Sequence, residues 1–587
     1  MNDSLLNKLI MIILTLFLIL LPIFYLPITT DFFEFNKMAL LFITSLILLL
    51  LWCLKIITER KVQFFTTPFT IPILLFALIT TISLFWQSSY KMGSLLSPLG
   101  PITILCTLLL YIIITNNQGE NLQHSLSLGL IGSGVLLAAL SLLSLFSIFG
   151  LPNPNGTIYL TSLYLLLPVS FLLSKIISQK SPLFIAIFIF IIISEIALLI
   201  SLKNSGITVL PYQIGFSILK SLSSSARSLI LGIGSGNFLT AFTLARPAEL
   251  NYTPYWNILF TTSSSYLLTL ATELGFIAGL IFLFFPLRLG ILAIRGNKLL
   301  KNPIIYPLFI AFLIQIFTIS NITIFVYTFI LLSLISTPKK ILDLHLKRFF
   351  PFLLAPLILI VTTSLILFIL ASRVYLAEVY FKKSLDAIPK NLGQEVYDFQ
   401  KKAIRANPYP DKYHSAFSQT SLALANALAG KKDLTKDDNQ KILLLTQQAI
   451  DESRVAASLG IGNVNNWTNL AAIYTSLMKL VQGSDERAIS AYQQAIALNP
   501  QDPQSQLSLG GIYYAKGDYD EAAKYFQKAI SLKKDWANAH YNLAATYKAL
   551  GKIDEAKKEM AIVLSLVPVD STDYKKAQEE LEKLNSM

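Results

Sequence analysis

LGIGSGNF (Leu231–Phe238), RPAELNYTPYW (Arg246–Trp256) and SSSYLLTLATELGFIAG (Ser263–Gly279) lie in close succession and decide how this chain is read. A glycine-rich loop leads into a polar, aromatic stretch and then into an apolar helix. Upstream, and for about a hundred residues downstream, the chain is lipid-soluble in character; after that it reads as water-soluble to its last residue. The expected fold class is therefore all-α, a polytopic bundle of about eleven transmembrane helices (1–372, with an external loop at 203–262) followed by a soluble α-solenoid (373–587).

The composition agrees. Mean hydropathy is +0.60, and 14% of the 587 residues are charged, against roughly a quarter in soluble domains. Residues 1–372 hold 20 Lys and Arg against 9 Asp and Glu, and residues 373–587 hold 27 against 25. The positive excess thus belongs to the apolar half, and no nucleic-acid partner is needed to explain it. Cys53 and Cys106 fall in apolar segments and read as packed thiols. The four histidines are scattered, so no metal site and no cofactor are expected.

A helix needs about 20 apolar residues to cross the hydrocarbon core. Ten segments meet or approach that length. An eleventh comes from dividing Pro303–Thr337 at Ser320-Asn321, because the whole is too long for one span. Four cation clusters fall on one side if the N-terminus is cytoplasmic: Lys55, Arg60 and Lys61; Lys175 and Lys180; Arg288, Arg295, Lys298 and Lys301; and Lys339, Lys340, Lys347 and Arg348. That rule places the protein in the cytoplasmic membrane with multiple passes and puts loop 203–262 and the C-terminal part outside. The loop carries Lys203, Lys220, Arg227 and Arg246 against Glu249. Cations there run against the usual bias, and an anionic substrate such as a lipid pyrophosphate would give them a purpose.

In the soluble part, Leu509, Gly510, Tyr513, Gly517, Ala522, Phe526 and Ala529 recur 34 residues later as Leu543, Ala544, Tyr547, Gly551, Ala556, Met560 and Val563. This is the tetratricopeptide pattern of paired antiparallel helices. Such arrays stack into concave surfaces for peptides or proteins. The repeating residues are core and say nothing about chemistry.

Gly232, Gly234 and Gly236 allow backbone N–H groups to converge on an anion. With Asn237, Lys220 and Asn251 they form the expected substrate-binding set. Arg227 and Arg246 are the expected pyrophosphate ligands. Glu273 and Glu195 are carboxylates within apolar spans, and such residues are functional candidates by default.

The LGIGSGNF loop and the TELGFIAG segment (Thr272–Gly279) resemble the O-antigen ligase and polymerase family of integral-membrane glycosyltransferases, some of which carry a tetratricopeptide tail. The resemblance implies transfer of a glycan from an undecaprenyl-pyrophosphate carrier to a lipid, protein or surface-glycan acceptor, without metal or nucleotide sugar. Arg246 and Arg227 would hold the pyrophosphate, and a base would take the acceptor proton. Where such ligases carry a histidine, this chain has Thr261-Thr262-Ser263-Ser264-Ser265; Glu273 and Glu195 are the two carboxylates that could stand in, and Glu273 is expected in a substrate-site or loop-anchoring role. A polymerase of the same family and a non-catalytic membrane-anchored repeat scaffold stand as alternatives. A transporter ranks last, because the spans show no internal symmetry.

Overall fold

The structure, a computed structural model, describes residues 5–59, 61–202, 208–223, 225–295, 302–345 and 350–587. Arg60, Lys203, Lys298, Lys301, Lys347 and Arg348 lie outside them. The chain divides into two compact units. The first comprises Met1–Phe238, Thr262–Asn391 and Lys402–Pro408; the second comprises Leu239–Thr261, Leu392–Lys401 and Tyr409–Met587. The division expected at 372/373 falls inside one continuous helix, Phe350–Ala387, and loop 203–262 is shared between the units. Cys53 and Cys106 are free thiols.

In the first unit, apolar helices form along the apolar stretches of the sequence, and among the described residues six are long and apolar enough to cross a membrane. Their outward faces are as greasy as their core, with Leu74, Ile189, Ile193 and Leu199 at least half exposed. Helix Ile322–Ile335 is the axis of the unit, since every one of its residues is buried. It starts where the sequence marks a break. The Asn321 side chain accepts from the Ile324 amide at 3.0 Å, and Glu34 Oε2 accepts from the Ile322 amide at 2.9 Å, so two of the orphan donors of the first turn are satisfied. Lys37, fully buried, donates to Asn155 Oδ1 at 2.5 Å and lies 3.6 Å from Glu34 Oε1. A buried ammonium is tolerated only with such partners.

One expectation needs correcting. The span expected at Ser263–Phe285 is two helices, Tyr266–Leu274 and Phe276–Arg295, broken at Gly275 with φ +87°. The fold is all-α as expected, with one short two-stranded ribbon among the described residues. Lys61–Thr66 pairs antiparallel with Lys339–His345, Lys61 opposite His345 and Thr66 opposite Lys339. Val62, Phe64, Phe65 and Thr66 are β-formers in a run too short for a helix.

The second unit is built of helix pairs: Asp411–Ala429 with Lys436–Leu459, Val464–Ser476 with Ser484–Leu498, Pro503–Lys516 with Tyr519–Leu532, and Ala537–Ala549 with Ile553–Leu566, closed by Thr572–Asn585. Leu509, Ala522, Phe526 and Ala529 are buried, as are Leu543, Ala544, Ala556, Met560 and Val563. Gly510 is required by contact, because a Cβ there would lie 2.7 Å from the Phe526 ring.

His540 ties the two helices of the last pair to each other and to the turn before them. Its Nδ1 lies 2.6 Å from Glu559 Oε2 and its Nε2 lies 2.9 Å from the Lys534 carbonyl. Burial alone would lower its pKa, but Glu559 and the Lys534 carbonyl outweigh burial and raise it above the ordinary value. A raised folded-state pKa contributes stability that is complete below about pH 6.5, the unfolded value, and is lost as pH rises through the folded value. The variant His540→Gln is therefore expected to lower the melting temperature more at pH 6 than at pH 9. A deficit that does not change with pH would remove the charge from the explanation.

Candidate functional site

The glycine loop is anchored by a carboxylate of its own chain. The Ile233 and Gly234 amides donate to the Thr272 and Glu273 carbonyls, both at 3.0 Å. The Ser235 amide donates to Ser83 Oγ at 3.2 Å. The Gly236 amide then donates to Glu273 Oε2 at 2.9 Å, and the Phe238 amide to Glu273 Oε1 at 3.2 Å. Asn237 Nδ2 reaches Ser88 Oγ at 2.9 Å and Ser94 Oγ at 3.2 Å. The loop does present converging N–H groups, as its three glycines suggest, but the group they hold is the Glu273 carboxyl.

This geometry brings Gly232, Gly234, Gly236, Asn237 and Glu273 together. The two main chains touch at Gly232 and Gly275: a Cβ on Gly232 would lie 2.2 Å from the Glu273 carbonyl, and one on Gly275 would lie 2.1 Å from the Ile230 carbonyl. Glu273 is therefore placed as the anchor of the loop and not as an open base, because both its oxygens are engaged with backbone donors. Removing a partner from a buried polar group costs about 1–3 kcal/mol per group, and Glu273→Ala orphans two amides. It is expected to destabilise the protein by about 2–6 kcal/mol, with Glu273→Gln, which keeps one acceptor, near half of that. The check is the melting temperature of the purified chain in detergent; unchanged melting for Glu273→Ala would refute the anchor.

The remaining expected residues stand apart. Glu195, 6% exposed, lies on helix Pro182–Leu202 and takes no part in the glycine loop's hydrogen bonds among the described residues. Lys220 sits on the amphipathic helix Tyr212–Leu222 and lines a cavity of about 270 Å³ with Phe216, Leu219, Leu229, Ala271 and Phe276. Arg227, exposed, donates to the Trp86 carbonyl at 3.0 Å.

Arg246 and Asn251 belong to the second unit. Arg246 is 3% exposed. Its Nη2 donates to Asn251 Oδ1 and, at 2.9 Å, to the Trp256 carbonyl, and its guanidinium lies 5.7 Å from the Phe242 ring centre. Asn251, fully buried, donates to the Gln501 carbonyl at 2.8 Å and to the Leu532 carbonyl at 3.2 Å. Both residues, expected to meet a substrate, are used inside the protein to fold residues 246–256. The reason is local: residues 246–256 carry two prolines and make few helical bonds, so side chains must satisfy the backbone. Sequence reading missed Ser83, Ser88 and Ser94, which lock the glycine loop, and Lys533 and Trp536, which meet Asn251 and Trp256. The three serines are small polar residues bordering apolar segments, a weak signal.

Two tetratricopeptide repeat family models match, one over residues 480–539 and one over 513–581. The C-terminal part is a tetratricopeptide-repeat array. No curated protein matches the chain. Solved structures similar to it include MamA from Desulfovibrio magneticus RS-1, at 15% identity over 32% of this chain and 94% of that one, TM-score 0.27. A thermophilic tetratricopeptide protein of Thermus thermophilus matches at 18% identity over 36% of this chain and all of its own, TM-score 0.26. A tetratricopeptide repeat protein from Parabacteroides merdae ATCC 43184 matches at 21% over 36% and 73%, TM-score 0.29.

Proposed function

We propose that this is an integral-membrane protein that holds its tetratricopeptide array outside the membrane as a docking scaffold for a protein partner. The observation that carries the reading is the array itself, since repeats of this kind typically bind proteins through the surface their stacking creates. On its first helices, Asn465, Gln504 and Asn538 are exposed at one equivalent place and Ala472 and Gly511 at another, and Tyr514 and Tyr541 are exposed beside them. The apolar helices of the first unit and the one-sided loop cations support the membrane placement and the orientation, N-terminus in the cytoplasm.

Two experiments test it. A topology reporter fused after Met587 should be active outside the cytoplasm; activity only in the cytoplasm refutes the orientation. A photo-crosslinking residue placed at Tyr514 or Tyr541 in cells should give one adduct of fixed mass that is absent when it is placed at Lys528 or Ile562. Equal labelling from all four positions refutes the docking face.

A second reading, transfer of a glycan from an undecaprenyl-pyrophosphate carrier as the O-antigen ligase resemblance implies, is favoured by one observation. The cavity beside Lys220 is apolar along most of its wall with a cation in its lining, and Arg227 is exposed on the next helix. An apolar chain ending in phosphate suits such a wall. In this reading Lys220 and Arg227 carry the pyrophosphate, because Arg246 is committed elsewhere. Purified protein given the lipid-linked glycan and a membrane extract should transfer sugar and lose that activity in the Lys220→Ala/Arg227→Ala double variant. No transfer by the folded protein leaves the scaffold reading alone.

A further inference from the structure

The second unit contains a segment that is not a repeat. Leu239–Thr261 runs along the turns that join successive repeats and bonds to three of them. Thr240 Oγ1 donates to the Gly462 carbonyl at 3.1 Å, in the turn before helix Val464–Ser476. Asn251 Nδ2 donates to the Gln501 carbonyl, in the turn before helix Pro503–Lys516. The same amide reaches the carbonyl of Leu532, which ends helix Tyr519–Leu532 and has no partner along its own helix. The third turn answers back: Lys533 Nζ donates to the Asn251 carbonyl at 2.9 Å and lies 5.2 Å from the Trp256 ring centre, while Trp256 and Trp536 pack with ring centres 5.5 Å apart.

Every acceptor on the repeat side is a main-chain carbonyl. The segment's own donors therefore register where the turns are, and only at the third turn do repeat side chains, Lys533 and Trp536, add contacts of their own. In a repeat array each repeat touches only its neighbours, so the curvature is a sum of small, independent rotations. A segment bonded to three consecutive turns removes that independence: two turns cannot rotate relative to one another without breaking bonds to the same short piece of chain. We propose that Leu239–Thr261 is a strap that sets the curvature of the tetratricopeptide array and makes three repeats open or close together. A partner that needs a different curvature has to work against the strap. The inference goes beyond the scaffold reading, and its test needs no partner.

The test is hydrogen exchange on the full-length chain in detergent. The turn amides of Asn463, Asp502 and Lys533 are each hydrogen-bonded, to the Gly460, Asn499 and Ala529 carbonyls, and report opening at the three turns. In the variant Asn251→Ala/Trp256→Ala, exchange should rise about tenfold at all three, including Asn463, whose turn neither changed residue touches. Helix interiors of the array should stay protected. A rise confined to Asp502 and Lys533 would show that the segment is a local patch and overturn the proposal. Should the double variant expose the helix interiors too, Thr240→Val is read instead, since it cuts only the Gly462 end. It should speed exchange at Asp502 and Lys533 as well as at Asn463, and an effect at Asn463 alone overturns the strap.

Discussion

Gly232→Ala and Gly275→Ala are each expected to cost more than about 4 kcal/mol, at the far end of what single substitutions do, and to leave little folded protein. Gly232 has φ +71° and ψ −162°, and Gly275 has φ +87° and ψ 170°. That region of backbone space is essentially open to glycine alone. The second cost is contact. The added methyl would meet main-chain atoms at 2.2 and 2.1 Å, and a main chain cannot rotate away as a flexible side chain can. Any relief must part the two strands of chain, and with them the bonds from Ile233 and Gly234 to Thr272 and Glu273. Gly517→Ala provides the contrast. Gly517 also has a positive φ, +81°, but nothing lies within 4 Å of its would-be Cβ, so it bears only the roughly 1–2 kcal/mol of a left-handed L-residue. Melting temperatures and recovered yield of the three variants check the ranking. Equal effects for Gly232→Ala and Gly517→Ala would mean that the chains do not cross as described.

The same glycines show how far a sequence carries. LGIGSGNF announces a backbone that needs positive φ, and all three of its glycines have it. The apolar helices were legible because they need only length and composition, and the repeats because small and aromatic residues recur at a fixed period. What could not be read was the destination of the loop's N–H groups. Glycines that converge on an anion look alike whether the anion is a ligand or a carboxylate 37 residues downstream. Arg246 and Asn251 misled for a related reason: an arginine after a glycine loop has the same identity on a surface as when buried against a carbonyl. Burial and partner are properties of the folded chain, and at these positions no period in the sequence encodes them. The break at Gly275 was missed because the helical pattern resumes at once on its far side, and only the close approach of Gly232 explains why it is there.

These placements also separate the two functional readings by residue. The resemblance to lipid-linked glycan transferases rests on the glycine loop and on Thr272–Gly279, and both are engaged with one another. What stays exposed to a carrier is the Lys220 wall and Arg227. What stays exposed to a protein is the set of first helices in the array. Substitutions in the first group and in the second are far apart in sequence, so their effects on transfer and on partner crosslinking can be measured independently.

Arg246→Ala is expected to destabilise the second unit by about 2–6 kcal/mol, because two buried acceptors, the Asn251 side-chain oxygen and the Trp256 carbonyl, each lose a donor at roughly 1–3 kcal/mol. The measurable consequence is a lower melting temperature with no ligand present. Arg246→Lys should recover little, since a single ammonium cannot replace a planar fork that serves two acceptors at once. Asn251→Ala should cost a similar amount, and the double variant Arg246→Ala/Asn251→Ala clearly less than the sum, because the two residues share one hydrogen-bond network and removing either already breaks it. A surface arginine that waits for a pyrophosphate would behave in the opposite way. Its removal would leave the ligand-free melting temperature where it was, and its effect would add to that of Asn251→Ala. The additivity of the pair therefore decides whether Arg246 holds this protein together or holds something else.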